Sequence, residues 1–166
     1  MHDFTPHASG APRQITATSP SDYFEVLTRA VFNAGLAWRV VHAHWPALSE
    51  AFAGFDPHVV AGYDEHDVDH LATDDRLIRS RGKLAAVPAN ARTFLDLAGE
   101  HGGFDRWLGT FDDHDGRERA LSRRFRYIGE FGAYWSLYTL KVDVPAPRDW
   151  AESRGRDLPT HLRGPD

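Results

Sequence analysis

The stretch Tyr23-Phe24-Glu25-Val26-Leu27-Thr28-Arg29-Ala30-Val31-Phe32-Asn33-Ala34-Gly35-Leu36-Ala37-Trp38 decides how the chain folds. Phe24, Leu27, Val31 and Ala34 recur at helical spacing, and Tyr23 and Ala30 widen the same face, so the segment reads as a helix with one broad apolar side. Ser19-Pro20-Ser21-Asp22 starts it, with a hydroxyl for the cap, a proline in the first turn and an early acid. Gly35 stops it, because only glycine enters the left-handed region without steric cost. Leu36-Ala37-Trp38 then occupies a tight corner before a second helix that continues to about His44. Two readings of Leu36 and Trp38 follow: they tuck into the core, or they are displayed at the corner for a partner.

The 166 residues suffice for one domain with a substantial core. Hydrophobic residues make up 42% and charged residues 26%, the balance of an ordinary globular protein. No apolar run is long enough for a membrane span, and the N-terminus shows no leader pattern. With no cysteine, the chain has neither disulfides nor a thiolate metal site, which suits a reducing compartment. The formal charge of −5 argues mildly against nucleic acid, but the charges are unevenly spread. Residues 64–75 are acidic; Arg76, Arg79, Arg81 and Lys83 follow at once, and Arg117, Arg119, Arg123, Arg124 and Arg126 form a second basic cluster. Each run taken alone is accounted for by a solvated helix face.

In chain order, residues 1–18 read as a flexible arm, 19–150 as a helical domain and 151–166 as a polar tail. A further helix is expected from Pro46 to near Gly54, a short one from Pro57 capped by Asp56, and another from Asp64 with Val68 and Leu71 facing inward. A long helix runs from Gly82 through Leu97 with a bend at Pro88. Phe104 to Phe111 forms a short amphipathic helix, and residues 112–116 a polar loop. Two helices follow, over Arg117 to Ile128 and Phe131 to Leu140, with a hairpin at Gly129. No run alternates as a strand would, so the fold class is all-α.

A helix–glycine hairpin–helix unit can present free amides at the start of its second helix, a seat for phosphate that carries no base information. Arg123, Arg124 and Arg126 beside Gly129 would add electrostatic attraction.

At this point the chain resembles the DNA-3-methyladenine glycosylase I family of the helix-hairpin-helix glycosylases. The matching pieces are Tyr23-Phe24-Glu25, Ala34-Gly35-Leu36-Ala37-Trp38, Phe55-Asp56-Pro57, Ile78-Arg79-Ser80-Arg81-Gly82-Lys83, Asn90-Ala91-Arg92 and Phe125-Arg126-Tyr127-Ile128-Gly129, with Tyr134 following. They are colinear over about residues 22–140. The resemblance implies a two-lobed helical enzyme that flips a damaged nucleotide into a pocket and hydrolyses its glycosidic bond. It makes Leu36 the apolar plug in the vacated stack and Trp38 a pocket wall, with Ala30, Phe32 and Asn33 as further pocket positions. It assigns DNA contacts to Gly35, Leu36, Arg79, Arg81, Lys83, Arg123, Arg124, Arg126 and Gly129.

The departures are as informative. The family's pocket glutamate falls on Ala30, and Glu25 lies about 140° away around the helix. The family's zinc clasp, two cysteines and two histidines that tie the termini, cannot form without cysteine, so neither zinc nor another cofactor is expected. The family's pocket tyrosines have no counterpart in residues 1–20. Two chemical remedies remain open. A cationic alkylated purine leaves readily, so a shaped pocket that admits water can suffice; or Asp149, twenty positions after Gly129, supplies the carboxylate. The alternative for Asp149 is an exposed acid at the head of the tail.

His66 and His70, four apart beside Glu65 and Asp67, have a chelating spacing on what otherwise reads as an acidic surface helix. His42 and His44 either pack in the second helix or flank the groove. The expectation is thus a monomeric, cytoplasmic, nucleoid-associated glycosylase acting on double-stranded DNA that carries alkylated or otherwise damaged bases. Its rivals are a non-catalytic DNA-damage binder and a protein- or small-molecule-binding module using the former base pocket. The first two require the leucine corner and the arginine-flanked corner to face each other across an open hollow.

Overall fold

The computed structural model describes residues 1–7 and 13–158, and among these the regular structure is helical throughout. The helices are α1 (Pro20–Asn33), α2 (Trp38–Ala51), α3 (Pro57–Val60), α4 (Glu65–Ala72), α5 (Arg81–His101), α6 (Phe104–Leu108), α7 (His114–Arg124), α8 (Glu130–Thr139) and α9 (Pro147–Ser153), with a 3₁₀ turn at Ala53–Phe55. None is long and apolar enough to cross a membrane.

The expected start of α1 is present as a capping box. Ser19 Oγ accepts from the Asp22 amide, and the Asp22 carboxylate accepts from the Ser19 amide in return. From Phe24 to Phe32 every residue of α1 is buried, so this helix is the axis of the molecule, packed between α5 and α8. Full burial brings three polar side chains inside with the apolar ones. Glu25 Oε1 accepts from the Trp45 indole at 3.1 Å and from the His2 amide at 2.8 Å, and Oε2 lies 2.6 Å from His2 Nδ1. The Arg29 guanidinium lies 4.8 Å from the Trp45 ring centre and 5.5 Å from that of Phe4. Desolvation lowers its pKa to about 10, against the opposing charges of Glu25 and Asp3.

Residues 1–7 and 13–18 are therefore not the free arm expected from their composition. Phe4 and Ile15 are buried, the Ile15 amide donates to Thr139 O at 2.8 Å, and Lys141 Nζ reaches Thr16 Oγ1. What held them was not visible in the segment itself, because the partners Glu25, Trp45 and Thr139 lie far along the chain. Residues 8–12 of that arm, and 159–166 of the tail, lie outside the described residues.

Elsewhere the differences are local. A single α2 runs through Pro46, which is exposed and sits where two helices were expected. Pro88 is buried within α5. Residues 112–116 are not a loop throughout: Asp113 Oδ1 accepts from the Gly116 amide at 2.7 Å and starts α7 one turn early. The Asp56 cap on α3 and inward-facing Val68 of α4 are as expected.

The chain beyond α8 folds back through Trp150, which is 1% exposed and stacks on Tyr134 with ring centres 4.4 Å apart. Its indole N–H donates to both carboxylate oxygens of buried Glu118 at 3.1 and 3.2 Å. Trp150→Ala removes both the stacked ring and the donor to a buried acid. It is expected to lose about 3–5 kcal/mol of stability, read from the midpoint of a urea unfolding curve.

Candidate functional site

Two corners and the helix that holds them build the site. At the first, α1 ends on Asn33, the Ala34 amide still bonds to Ala30 O, and Gly35 turns the chain at φ +74°. The last carbonyls of a helix carry partial negative charge and lack amide partners. Here Lys83 supplies the donor, its ammonium bonding to Phe32 O at 3.1 Å and to Ala34 O. Lys83 is buried, and desolvation lowers its pKa. At the second corner α7 ends and residues 125–129 lead into α8. The carboxamide of Asn90, itself buried, clasps the backbone of Arg126: Oδ1 accepts from the amide at 2.8 Å and Nδ2 donates to the carbonyl at 3.1 Å. Tyr127 then takes the left-handed conformation, φ +59°, with its hydroxyl against Gly82 so closely that a methyl there would lie 2.4 Å from it. Lys83 and Asn90 are seven residues apart on α5, which returns them to within about 20° of one face. One helix face thus fixes both corners.

The corners face each other. Ala34 and Gly35 from the first, and Tyr127 and Gly129 from the second, line one cavity of about 270 Å³. Its remaining walls are Ala30 and Asn33 of α1, Glu130, Phe131, Gly132 and Trp135 of α8, and Arg156 from the segment after α9. Ala30 and Gly132 let the two helices approach closely, since a methyl on Gly132 would sit 3.6 Å from Ala30 Cβ. The lining is chiefly apolar and aromatic, with Glu130 as its carboxylate. That acid is held from both sides, by Arg154 Nη1 at 3.2 Å and Arg156 Nη2 at 2.8 Å.

Of the expected pocket positions, Ala30 and Asn33 line the cavity. Phe32 does not: it is fully buried and packs edge-on against Trp45 at 6.5 Å, because it projects from the opposite side of α1. Trp38 is also absent from the wall; it is half-buried at the start of α2, its ring tilted on His42 at 5.4 Å. Leu36, by contrast, is 36% exposed at the tip of the corner rather than tucked into the core.

Among the expected DNA contacts, Arg79, Arg123, Arg124 and Arg126 are exposed. Arg81 is exposed but engaged by Glu65 at 2.7 Å and Asp69 at 2.8 Å, so its charge is matched within the protein. Lys83 is corrected outright: its ammonium is committed to the end of α1 and faces the interior. Asp149 is exposed in the first turn of α9 and does not line the cavity. His66 and His70 are exposed on α4, and His44 Nδ1 lies 2.7 Å from Arg76 O. Tyr127, Glu130, Phe131, Trp135 and Arg156 were not singled out as site residues. For four of them a signal existed, since an acid and two aromatics spaced i, i+4 directly follow the hairpin glycine and a tyrosine precedes it. Arg156 gave none.

The thiolate clasp of the family does not fit this chain, which has no cysteine. Arg154 joins Glu118 at 3.1 Å, Asp115 and Glu130, bringing α7, α8 and the C-terminal segment together. His114, Asp115 and Glu118 are the cluster of three metal-capable side chains among the described residues, but the Arg154 guanidinium already contacts Asp115 and Glu118, and the Trp150 indole N–H donates to Glu118 as well. Burial raises the Glu118 pKa, opposed by the Trp150 hydrogen bond and the Arg154 charge.

The all-helical fold that carries these two corners is of the class seen in solved 3-methyladenine DNA glycosylases I. Within that class the chain belongs to the methyladenine glycosylase family, whose model matches residues 14–130. It is 32% identical over 100 residues to DNA-3-methyladenine glycosylase 1 of Escherichia coli K12, covering 60% of this chain and 54% of that protein. It is 32% identical over 91 residues to DNA-3-methyladenine glycosylase of Haemophilus influenzae, covering 55% and 49%. The matched stretch thus spans about half the length of these curated relatives. A solved 3-methyladenine DNA glycosylase I variant in complex with 3-methyladenine superposes with a TM-score of 0.70 at 22% identity, over 81% of this chain and 84% of that one, a likeness of fold.

Lys83→Met leaves the carbonyls of Phe32 and Ala34 without their buried donor. The expected cost is about 1–3 kcal/mol, read by urea unfolding.

Proposed function

We propose that the protein is a DNA base-excision glycosylase that removes an alkylated purine, of the 3-methyladenine kind, after flipping it from the duplex. The observation that carries this is the single cavity shared by the Gly35 corner and the Gly129 corner. A duplex gripped by both corners has its flipped base delivered between them. At about 270 Å³ the hollow lies just below the range of roughly 300–1,000 Å³ for drug-sized ligands, in keeping with one bicyclic base. The names of the relatives point the same way.

In this reading Leu36 enters the stack left by the flipped nucleotide, and Arg123, Arg124 and Arg126 engage phosphates beside the Gly129 turn, where α8 begins without a side-chain cap. Tyr127, Phe131 and Trp135 present ring surface to a flat cation, while the charge of Glu130 is matched by Arg154 and Arg156. An N-alkylated purine already carries the positive charge that a leaving group needs. As the glycosidic bond breaks, its electron pair goes to the purine and neutralises that charge. Water adds to C1′ of the sugar, and its proton passes to solvent. No acid on α1 is required to protonate the base, which accommodates alanine at position 30, and no metal or nucleotide cofactor takes part.

A second reading, a damage binder without turnover, is favoured by one observation: both oxygens of Glu130 are already engaged by arginines. Single-turnover excision on methylated duplex, run beside salt titrations of binding, separates the two. Release of methylated purine supports the glycosylase; lesion-selective binding with no release supports the binder; absence of binding at low salt removes both. The triple change R123A/R124A/R126A is expected to weaken binding to any duplex and to flatten the dependence of log affinity on log salt by up to about 3.

A further inference from the structure

Resting on the proposal that the cavity receives a flipped purine, we infer that Gly82 is a positioning residue for that purine. It gives the Tyr127 hydroxyl a seat at the start of α5 and so holds the Tyr127 ring as a rigid wall of the cavity. Nothing in the backbone of α5 calls for glycine at this position. Gly82 lies outside the left-handed region and stands in the first turn of a long helix, where glycine loses more conformational entropy than alanine would. What a side chain there would meet is the Tyr127 phenol. A methyl would lie 2.4 Å from the hydroxyl oxygen and 3.4 Å from the ring carbon that bears it. The missing Cβ is therefore room for one tyrosine.

Tyr127 breaks a local rule in the opposite sense. It is a bulky residue at φ +59°, a conformation that crowds Cβ against the backbone. Phe55 shares that conformation at φ +61°, but it is fully buried and stacks on Trp45 with ring centres 4.8 Å apart, so packing offsets the strain. Tyr127 is 50% exposed and has no such burial to offset it. It is nonetheless held at both ends. Asn90 clasps the amide and the carbonyl of Arg126 just before it, Gly82 receives its hydroxyl, and between these points it lines the cavity. A glycine where the helix would accept alanine thus meets a tyrosine where the turn would favour glycine. Strain of this kind persists where it pre-organises a site. A wall fixed in advance loses no binding energy to the ordering of a side chain, and it sets the plane in which a flat base comes to rest.

The test is a double-mutant cycle read by single-turnover release of methylated purines from duplex DNA treated with dimethyl sulfate, with the full-length chain in excess. Gly82→Ala must displace the hydroxyl by about 1 Å to restore ordinary contact. It is expected to slow release roughly ten- to a hundredfold, the effect of a misplacement of that size, with the thermal midpoint and the affinity for unmethylated duplex close to those of the wild type. In a Tyr127→Phe background there is no hydroxyl to displace, and the same Gly82→Ala change is expected to slow release by less than about twofold. Should Gly82→Ala disturb the start of α5, Tyr127→Asn removes the ring without touching that helix, since asparagine tolerates the left-handed backbone; it is expected to slow release at least as much as Gly82→Ala. Release at the wild-type rate by Gly82→Ala or Tyr127→Asn overturns the inference and leaves the glycosylase reading standing. So does an equal loss from Gly82→Ala in both backgrounds, because the effect then does not run through the phenol. A wild type that releases no methylated purine overturns the glycosylase reading, and this inference with it.

Discussion

The ammonium of Lys83, seated under the last carbonyls of α1, is the contact on which the rest of the arrangement depends. Without a donor, the end of a buried helix would hold desolvated carbonyl dipoles, and the chain would have reason to unwind there. With it, the helix can stop abruptly, turn at Gly35 and leave Leu36 in solvent. Two turns along α5, Asn90 does the equivalent for the other corner by occupying both the donor and the acceptor of Arg126. The separation of the two corners is then set by the pitch of one helix, which is far stiffer than either loop.

The price of an axial helix buried on all sides is that its polar residues must find partners inside. Glu25 does so by hydrogen bonding to His2 and Trp45, and the Arg29 guanidinium lies over the rings of Phe4 and Trp45. The N-terminal segment is thereby recruited as part of the core. A comparable arrangement holds the other end, where Trp150 and Arg154 fasten the last helix onto the acids of α7 and α8. The N-terminal segment and α9 are thus each held to the helical core by aromatic contacts and charge.

How far the sequence could be read follows from what its signals depend on. Caps, glycine stops and helical periodicity are local, and so α1, the Gly35 turn, the Asp56 cap and the all-helical class were all legible. The position of a side chain around a helix was half legible: Ala30 and Asn33 do face the hollow, whereas Phe32 faces Trp45. Long-range partners were not legible. Lys83 sits in a run of basic residues and looks like its neighbours Arg79 and Arg81, yet it is buried because α1 happens to end above it. His2 and Phe4 lie in a stretch whose composition is that of a loose arm, and only Glu25 and Trp45, remote in sequence, give them a place. The aromatic wall of α8 could have been anticipated from its spacing, but an arginine near the chain's end could not.

That arginine alters how the molecule can diverge. The family model matches residues 14–130, and Arg156, Phe131 and Trp135 lie beyond that match and still form part of the cavity. The frame and much of its furnishing are therefore encoded in separate portions of the chain. Substitutions in the second portion can reshape what the hollow accepts while the seating of both corners, which resides wholly in the first, is left as it is.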